Sequence, residues 1–565
     1  MTGPRLANRR IRLLLAVFAV AFAAMLGRAV WLQAVQAGTL SRLATEQHDT
    51  SVTLPAGRGA ILDRNGLQLA IGREATTVFA NPRQVADPKA AALAAAKDLN
   101  LDAEELYPRL ADRSRGFVYI ARKTDPERAR TLEKRGITGI FFTSEERRTY
   151  PQGRIASQVV GYAGLDNKGL AGLELQLDRP LSGRSGHERY VRDPSGRSID
   201  VVESRPARDG DDVMLTIDHT IQSYAESVLQ RTVTNWGAKA GSAIVLDPRN
   251  GEVLAMATVP SFDANRYGYV PRDLQRNRAV TDTYEPGSTF KVVTIAAALS
   301  TKVVAPSTSF VLPYELEVAD RKIHDSHERS TQRMTVAQIL SRSSNVGTIT
   351  VAEMLGQNRL ARWIDRFGFG RKTGVDFPGE TRGIVLPVEK WSGSTIGNVP
   401  IGQGIAVTPI QMAAAYGAIA NGGVWERPHL VRRVGSRATG GRDQRRITSR
   451  VVSSQVMAMM QDVVNEAGGT GALARLEGYS VAGKTGTASK PDHGGYSESR
   501  YVASFVGVVP ASAPRLVVLV SIDEPKGAIW GGVVAAPAFQ EIARYALQYL
   551  EIPPDDINQV GGSNP

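Results

Sequence analysis

The sequence of 565 residues contains no cysteine, and only 6% of its residues are aromatic. The absence of cysteine excludes disulfide bonds, thiolate nucleophiles and zinc sites built on cysteine ligands. The net charge is +12, but no basic run is interleaved with aromatic residues, so no nucleic-acid partner is predicted. A basic surface that faces an anionic membrane or polymer accounts for the charge equally well. The length and the 42% apolar content predict two folded units with substantial cores.

An apolar segment near the N-terminus indicates the cellular compartment. Residues 1–12 carry several arginines and no acidic residue, and residues 13–35 are mostly apolar. Arg28 can reach the membrane interface by extending its side chain, and Trp31 suits that interface. A cleaved signal peptide is the alternative, but no small-x-small site follows the apolar run. We therefore expect a cytoplasmic tail (1–12), one transmembrane anchor (13–35) in the inner, cytoplasmic membrane, and an extracytoplasmic, periplasmic remainder.

Two segments with different patterns follow the anchor. Residues 36–205 are rich in arginine, aspartate and glycine, with short apolar stretches, and predict an elongated mixed domain that we call the pedestal. Residues 213–550 show two early strands, a helix-rich section, late strands and a final helix. This order predicts an α+β domain whose antiparallel sheet of about five strands is flanked by helices. Residues 551–565 are predicted to form a disordered tail.

One lysine near the C-terminus fits two incompatible motifs. Gly478, Gly483, Lys484 and Thr485 match G-x-x-x-x-G-K-S/T, the loop that holds phosphates in nucleotide hydrolases. Such a loop must lead into a helix whose N-terminus faces the phosphates. Pro491 and several glycines after the motif prevent a long helix, and no apolar strand ending in aspartate offers a magnesium ligand. The match to a phosphate loop is therefore interpreted as accidental.

The same lysine belongs to a set of three motifs found in serine acyltransferases. S-x-x-K occurs once, at Ser288 and Lys291, and S-x-N occurs once, starting at Ser343. K-T-G occurs twice. The copy at Lys372 lies in a loop rich in glycine and proline, whereas the copy at Lys484 stands just before the late strands. Lys484 is therefore predicted to be functional, and Lys372 to be a loop residue.

The S-x-x-K motif has the geometry that acyl transfer requires. Ser288 follows Pro-Gly at the start of a predicted helix, where free N–H groups and the helix dipole favour developing negative charge. Lys291 lies on the same helical face. The helix that follows is apolar on all sides and is predicted to be buried. Burial lowers the pKa of a lysine, so Lys291 can act as a base toward the serine hydroxyl.

With these motifs the chain resembles the class B penicillin-binding proteins, the single-span D,D-transpeptidases that crosslink peptidoglycan. The likeness covers nearly the whole chain and is greatest to the cell-division, FtsI-like branch, although the elongation and sporulation branches share much of it. It implies a transpeptidase domain of the penicillin-binding, serine β-lactamase-like fold and a pedestal like the dimerisation domain of that family. No cofactor and no metal are predicted. The segments that carry the resemblance are GRGAILDRNG, GLAGLE, LDPRNGEVLAMATVPSFDANRY, YEPGSTFK, RSSNVG, VPIGQGIAVTPIQM, VAGKTGTA and SFVGVVP.

The resemblance implies catalytic roles for four residues. Ser288 would be the acylated nucleophile and Lys291 its base. Ser343 would relay protons to the leaving and attacking amines, with electrostatic support from Lys484. The implied reaction is ping-pong: the serine attacks the D-Ala-D-Ala carbonyl of a donor stem peptide, D-Ala leaves, and an amine of a neighbouring stem peptide resolves the acyl-enzyme. β-Lactams would trap the same serine, and a carboxypeptidase side activity would follow from attack by water.

The resemblance also implies a substrate-binding set and partners. Asn345 would hold the peptide of the substrate, and Thr485, Gly486 and Thr487 would meet its terminal carboxylate. The backbone N–H groups of Ser288 and Thr487 would form the oxyanion hole. Expected partners are stem peptides, β-lactams, a membrane-embedded glycosyltransferase of the SEDS type and division proteins, with the anchor and the pedestal as contacts.

Other polar residues are interpreted as structural. His324–His327 could suggest a metal pair, but the spacing matches no complete metal site, and a loop near the mouth of the active site is expected. Glu174 is interpreted as part of the pedestal structure, and Arg58 and Asp63 as a local ion pair. Gly402–Gly404 is expected to form a tight turn, and a role as a wall of the cleft is left open.

Two alternative functions differ in what happens after acylation. A β-lactamase shares the serine and both lysines but needs a glutamate that activates water, and no glutamate between Ser343 and Lys484 fits E-x-x-N. A non-catalytic β-lactam sensor or division scaffold would acylate only once or merely bind. The sensor, and the choice between division, elongation and sporulation, stay open at this point.

Overall fold

The computed structural model describes residues 4–36, 38, 49–192, 198–439, 443–492 and 495–556. It divides into two compact units, Met1–Gly57 with Gly183–Asp209 and Arg58–Ser182 with Gly210–Pro565. The segment predicted as the pedestal is therefore shared between the units. Its central part belongs to the same unit as the catalytic motifs.

The first unit contains the apolar N-terminal helix. This helix covers Pro4–Val30 and ends in a π-helical turn, Trp31–Val35. Residues Asn8–Val35 are long and apolar enough to span a membrane. The same unit contains a three-stranded antiparallel sheet with Gly186–Arg192 as its central strand, and the two outer strands are Asp49–Leu54 and Ser198–Arg205.

The second unit begins with a seven-stranded sheet built around the long strand Gln68–Ala80. Part of this sheet comes from residues that follow the pedestal in sequence, so the pedestal and the catalytic region share one sheet. The strands that pair directly with Gln68–Ala80 are Ile61–Leu62, Val118–Thr124 and Ile140–Thr149. The sheet continues outward from Ile61–Leu62 through Val213–Leu215, Val431–Val434 and Arg437–Ala438.

Three helices of the pedestal pack around a small apolar core with this sheet. Each begins at an aspartate whose side chain accepts hydrogen bonds from free N–H groups of the first turn, at Asp87, Asp102 and Asp125. The helices cover Pro88–Leu99, Ala103–Ala111 and Pro126–Glu133.

A five-stranded antiparallel sheet forms the centre of the catalytic region and confirms the predicted fold. The first two strands are joined at Gly251, whose φ of +78° and N–H bond to the Asp247 carbonyl close a hairpin turn. Both strands are buried along their whole length, because helices cover both faces of the sheet. The strands in spatial order are Val253–Val259, Ala240–Leu246, Leu516–Asp523, Gly495–Val509 and Ala482–Asp492.

Two groups of helices cover this sheet. His219–Asn235 and Ala536–Tyr549 pack on one face, and Lys291–Ser300, Pro409–Ala420 and Arg450–Asn465 pack mainly on the other. The other α-helices described in this unit are Ser157–Val160, Gly172–Gln176, Asp178–Leu181, Arg272–Gln275, Arg278–Thr281, Val336–Ser341, Asn345–Leu355, Gln357–Phe367, Thr395–Asn398 and Gly531–Val534. Small antiparallel pairs join Ser309–Leu312 to Gln332–Thr335, Glu315–Val318 to Arg321–His324, Val424–Glu426 to Gln444–Arg446, and Tyr162–Ala163 to Gly169–Ala171.

Glu174 is the centre of a buried ion cluster in the pedestal. It is completely buried, and its carboxylate meets Arg58 at 2.6 Å and Arg148 at 2.6 Å. The expected local ion pair between Arg58 and Asp63 is wrong. Asp63 instead accepts hydrogen bonds from backbone N–H groups of the following turn and from that of His219. Arg58 pairs with residues far along the chain because a buried guanidinium needs several acceptors.

The disordered C-terminal tail is predicted to begin at residue 551, and this boundary lies too early in the chain. Residues 551–556 pack on the catalytic region: the Ile552 carbonyl accepts from the Tyr479 hydroxyl at 2.7 Å. Asp555 accepts from the Ser480 N–H at 2.8 Å. These contacts order the start of the segment. Residues 557–565 lie outside the described residues.

Candidate active site

The serine of S-x-x-K lies in a tight turn ahead of a buried helix. Gly287–Phe290 form a 3-10 turn that leads directly into Lys291–Ser300. Gly287 has a φ of +54°, and a Cβ at this position would lie 3.0 Å from the carbonyl oxygen of Thr487. Glycine therefore allows both the left-handed backbone and the close approach of the K-T-G strand. Ser288 is partly exposed in this turn.

The loop Gly402–Gly404 packs directly on the serine turn. The Gly402 carbonyl accepts from the Gly287 N–H at 3.1 Å, and the Gly404 N–H donates to Glu285 at 3.0 Å. A Cβ on Gly402 would lie 2.2 Å from the Gly287 carbonyl oxygen. The loop makes the expected turn and also supports the backbone that carries the serine.

Lys291 is completely buried and reaches toward the S-x-N motif. Its Nζ donates to the Ser343 carbonyl at 2.6 Å, to Asn345 Oδ1 at 2.7 Å and to Ser343 Oγ at 3.3 Å. In the described part of the chain, the structure shows no hydrogen bond to the Ser288 hydroxyl. Burial lowers the pKa of Lys291 to about 7, and the Asp325 carboxylate acts in the opposite direction. At neutral pH a large share of this amine is therefore unprotonated and able to accept a proton.

Lys484 approaches the same hydroxyl from the opposite side of the site. It lies in the edge strand Ala482–Asp492, is completely buried, and donates to Ser343 Oγ at 2.9 Å. Burial, and then the charge of Lys291, lower the pKa of Lys484 well below its usual value. Two positive charges so close together repel each other, which disfavours protonation of both amines at once. Lys291, Ser343 and Lys484 therefore form a compact proton relay.

Ser343 adopts an uncommon backbone conformation at the centre of this trio. Its φ is +60°, which is the left-handed region that residues with a Cβ rarely adopt. The turn follows Val336–Ser341 and precedes the helix Asn345–Leu355, whose first turn is capped by the Ser344 hydroxyl. Strain of this kind persists where the surrounding structure holds it in place, and it is typical of functional sites.

Asp325 supplies much of that support, and sequence reasoning missed it. Its buried carboxylate accepts from the Asn345 N–H at 2.6 Å, from the Val346 N–H at 3.0 Å and from the Ser344 hydroxyl at 3.0 Å. Arg329 pairs with the same carboxylate at 2.6 Å. The segment predicted as a loop near the active site therefore holds the N-terminus of the S-x-N helix. No group of three or more metal-ligating side chains occurs among the described residues.

The K-T-G strand packs tightly against the serine turn. A Cβ at Gly486 would lie 2.4 Å from Ser504 Oγ and 3.0 Å from the Pro286 carbonyl oxygen, so only glycine fits. The Thr485 hydroxyl bonds with that of Thr470 at 2.7 Å. The Thr487 hydroxyl accepts from the Gly531 N–H at 3.1 Å. Both threonines of the predicted carboxylate site are thus held in fixed orientations.

The structure distinguishes Lys484 from a lysine of a phosphate-binding loop and from Lys372, the lysine of the other K-T-G. It lies within an extended strand that continues to Asp492 and not at the start of a helix, so the phosphate-loop geometry is absent from this segment. The first K-T-G, at Lys372, is exposed, and its Thr373 hydroxyl donates to Glu380 at 2.6 Å. Of the two described copies of the motif, the one at Lys484 contacts Ser343.

Comparisons with known proteins agree with this geometry. One family model, described as the penicillin binding protein transpeptidase domain, matches residues 241–544, and another, the penicillin-binding protein dimerisation domain, matches residues 53–215. Stage V sporulation protein D of Bacillus subtilis is 35% identical over 97% of this chain and 86% of its own length. FtsI of Escherichia coli, a peptidoglycan D,D-transpeptidase, is 33% identical over 97% of this chain and 92% of its own length.

A solved structure shows the same fold. Penicillin-binding protein 3 from Mycobacterium tuberculosis, complexed with aztreonam, is 31% identical with a TM-score of 0.71, and the alignment covers 89% of this chain and 98% of that chain. The similarity therefore extends through both the pedestal and the region that holds the catalytic motifs. The chain belongs to the class B penicillin-binding proteins, and it is a serine-type D-Ala-D-Ala transpeptidase of peptidoglycan synthesis.

Proposed function

We propose that the transpeptidase acts through an acyl-enzyme on Ser288 and works at the septum during cell division. It is anchored in the inner membrane by one helix, with the catalytic region outside the cytoplasm. The observation that carries the catalytic assignment is the convergence of Lys291 and Lys484 on Ser343, next to the serine turn. The cellular role rests on the resemblance of YEPGSTFK to the division branch, which has an FtsI relative 33% identical to this chain.

Acylation begins with a proton transfer. The neutral amine of Lys291 takes the proton of the Ser288 hydroxyl, and Oγ forms a bond to the carbonyl carbon of the penultimate D-alanine. The backbone N–H groups of Ser288 and Thr487 stabilise the oxyanion. When the carbon–nitrogen bond breaks, Ser343 gives a proton to the departing amine of the terminal D-alanine. Ser343 takes a proton in turn from Lys291, whose Nζ lies 3.3 Å from Ser343 Oγ, so Lys291 is neutral in the acyl-enzyme. Lys484 keeps the Ser343 hydroxyl oriented through its 2.9 Å hydrogen bond.

Deacylation runs through the same groups in the opposite sense. The amine of a neighbouring stem peptide attacks the ester carbon, and Ser343 accepts its proton while passing its own proton to the neutral Lys291. The ester bond breaks, and the Ser288 oxygen regains a proton from Lys291. The enzyme returns to its starting protonation state, which is what a ping-pong cycle requires.

The substrate-binding residues flank this relay. Asn345 is fixed between Lys291 Nζ at 2.7 Å and the His324 carbonyl at 2.9 Å, and it holds the peptide of the donor. Thr485, Gly486 and Thr487 receive the terminal carboxylate. The tight packing of the strand against the serine turn supports a carboxylate site next to the nucleophile.

Covalent labelling with fluorescent penicillin tests the site assignment. The wild-type chain is expected to be labelled at Ser288, and Ser288→Ala to lose the label while remaining folded. Lys484→Ala should label much more slowly, whereas Lys372→Ala, in the other K-T-G, is the matched control and should label normally. Persistent labelling of Ser288→Ala, or equal losses in both lysine variants, would refute the assignment.

Turnover distinguishes the enzyme from a β-lactam sensor. The full chain in detergent, given a thioester analogue of the donor and an amine acceptor, is expected to release many equivalents of thiol per protein. Release of a single equivalent, followed by a stable acyl-protein, would favour the sensor.

A role in sporulation is the alternative to the division role that a specific relative supports. The sporulation relative from Bacillus subtilis is 35% identical, as similar as FtsI, so overall similarity does not separate the branches. A functional fluorescent fusion is expected to form rings at division septa. Localisation along the lateral wall would indicate elongation, and localisation at a spore septum alone would indicate sporulation.

The proposed protein partners are a SEDS-type glycosyltransferase and division proteins, with the anchor and the pedestal as contacts. Replacement of residues 1–36 by a cleavable export signal should leave penicillin acylation near normal, since the site residues lie elsewhere. The same replacement should abolish function in cells. Full complementation by this exported, unanchored form would contradict a working role for the anchor.

A further inference from the structure

A second cavity lies on the catalytic region, away from the catalytic motifs. It has a volume of about 280 Å³, below the range of roughly 300–1,000 Å³ that drug-sized ligands occupy. Its walls come from the end of the helix Gln357–Phe367, the loop that holds the first K-T-G, and the strand pair at Trp425 and Arg445. The charged side chains that line it are Asp365, Arg366, Arg371, Lys372, Asp443 and Arg445.

These charges do not balance. Four cationic side chains face two carboxylates, so the cavity has two uncompensated positive charges. Asp365 pairs with Arg371 at 2.5 Å. Arg366 and Arg445 instead lie over the rings of Trp363 and Trp425, at 5.1 and 4.6 Å. Arg366 also donates to the Arg446 carbonyl at 3.2 Å, and Arg445 donates to the Arg366 carbonyl. Each guanidinium carries five N–H groups, so further donors are left for a ligand.

The wall that carries Lys372 is rigid. Glu380 accepts from the Thr373 N–H at 2.6 Å and from the Gly374 N–H at 3.1 Å. Gln411 donates to the Arg371 carbonyl at 2.7 Å. These bonds explain why a K-T-G occurs in a loop: its threonine and glycine anchor the backbone, and its exposed lysine is left at the rim of the cavity.

The electrostatic environment of Arg445 agrees with an excess of positive charge. Burial, and then the charge of Arg371, lower the pKa of its guanidinium, while Asp365 and Asp443 oppose them. A guanidinium in this environment gains more from an anionic partner than a solvated one does, because its field is less screened.

We propose that this cavity binds a phosphate-bearing anion. Two uncompensated charges match a dianion, and the fork of N–H donors on arginine matches the geometry of phosphate oxygens. The phosphate could come from a free phosphate or diphosphate compound or from a lipid headgroup, and the recognition chemistry is the same. Ser288, Ser343 and Lys484 are not among the residues that line this cavity. An anion can therefore bind here without substrate at the catalytic site.

Calorimetric titration of the full chain in neutral detergent with pyrophosphate tests the proposal. We expect saturable binding that sodium chloride of equal ionic strength does not reproduce. Arg371→Gln with Lys372→Gln should weaken this binding at least about tenfold, because two of the four cations are lost. Arg433→Gln removes an exposed cation outside the cavity and is the matched control. Penicillin acylation at the wild-type rate shows that each variant is folded.

A second arm distinguishes the sources of phosphate. The same proteins are reconstituted in nanodiscs of phosphatidylcholine with or without phosphatidylglycerol, and pyrophosphate titrations are repeated. Competition by phosphatidylglycerol that depends on Arg371 and Lys372 supports a lipid headgroup as the occupant, and unchanged binding supports a free anion. No binding in detergent, or binding that Arg433→Gln weakens as much as the double variant, overturns the proposal.

Discussion

Two buried clusters of charged side chains in the same unit have opposite electrostatic arrangements. In the pedestal, Glu174 receives Arg58 and Arg148 at 2.6 Å each, and Asp178 pairs with Arg58 at 2.7 Å, so two carboxylates neutralise two guanidinium groups. At the active site, Lys291 and Lys484 are equally buried, yet both donate to Ser343. In the described part of the chain, neither lysine forms an ion pair with a carboxylate.

The difference shows how one chain uses burial for two purposes. When a pair of opposite charges is buried, the attraction and the hydrogen bonds between the partners offset the lost hydration energy. Removal of one partner leaves an uncompensated ion. Buried amines that have hydrogen bonds but no carboxylate partner recover only part of their lost hydration energy, so their protons are bound weakly and move easily. We therefore expect the pedestal cluster to affect stability and the lysine cluster to affect rate.

The largest expected effect is on the rate. Lys291→Met keeps the length of the side chain but removes the base, and it should slow acylation by penicillin about 10²- to 10⁴-fold. The variant should remain folded, because a buried amine with a depressed pKa contributes little to stability. Stopped-flow acylation and thermal unfolding measure the two properties. A stable variant with normal acylation would remove Lys291 from the mechanism.

The converse change in the pedestal should affect stability alone. Glu174→Gln leaves the buried Arg148 without a carboxylate and Arg58 with Asp178 alone, and it should destabilise the protein by about 3–5 kcal/mol. The folded fraction should acylate at the wild-type rate. Glu133→Gln, at an exposed helical position, is the control in urea unfolding. If Glu174→Gln slowed acylation without loss of stability, the separation of the two clusters would be incorrect.

An intermediate effect is expected at Asp325, which positions the S-x-N helix. Asp325→Ala removes the acceptor of three hydrogen bonds to the backbone and hydroxyl of this helix. A displacement of Ser343 and Asn345 by about 1 Å should slow acylation roughly 10²-fold. Asp325→Asn retains one oxygen acceptor and should recover part of the rate. Equal rates in the two variants would mean that the charge matters and the hydrogen bonds do not.

The smallest effect is expected at the unused K-T-G. Lys372→Ala changes an exposed side chain and should alter the free energy of unfolding by no more than about 0.5 kcal/mol. Its acylation rate should equal that of the wild type, whereas Lys484→Ala should lose the orienting bond to Ser343. A comparable loss in Lys372→Ala would show that the first motif also acts in catalysis.

Site residues that lie close together in the sequence are predictable from it, because a spacing of a few residues fixes their relative positions on a helix. Ser288 and Lys291 lie one helical turn apart, and the apolar helix after them correctly predicts burial of the lysine. The choice of Lys484 over Lys372 follows from the strands near each copy. The five-stranded sheet is likewise visible as apolar runs separated by turns.

Contacts between distant segments are not predictable in this way. Asp325 reaches the S-x-N helix across an intervening strand and helix, Gln332–Thr335 and Val336–Ser341. An isolated aspartate has no periodicity that reveals its partner. Arg58 pairs with Glu174, 116 residues away, and not with the neighbouring Asp63. The strand Val431–Val434 joins the pedestal sheet through pairing with Val213–Leu215, because sheet register is decided by tertiary packing.

The pH dependence of acylation tests the central claim most directly. The claim is that burial lowers the pKa of Lys291 to about 7, and the neutral amine is the form that accepts the serine proton. The second-order rate of acylation of the full chain should therefore rise with pH through a midpoint near 7. Asp325→Ala should move this midpoint to lower pH, since the carboxylate favours the protonated amine. A rate that rises only near the pKa of a solvated lysine, about 10.4, would contradict the account.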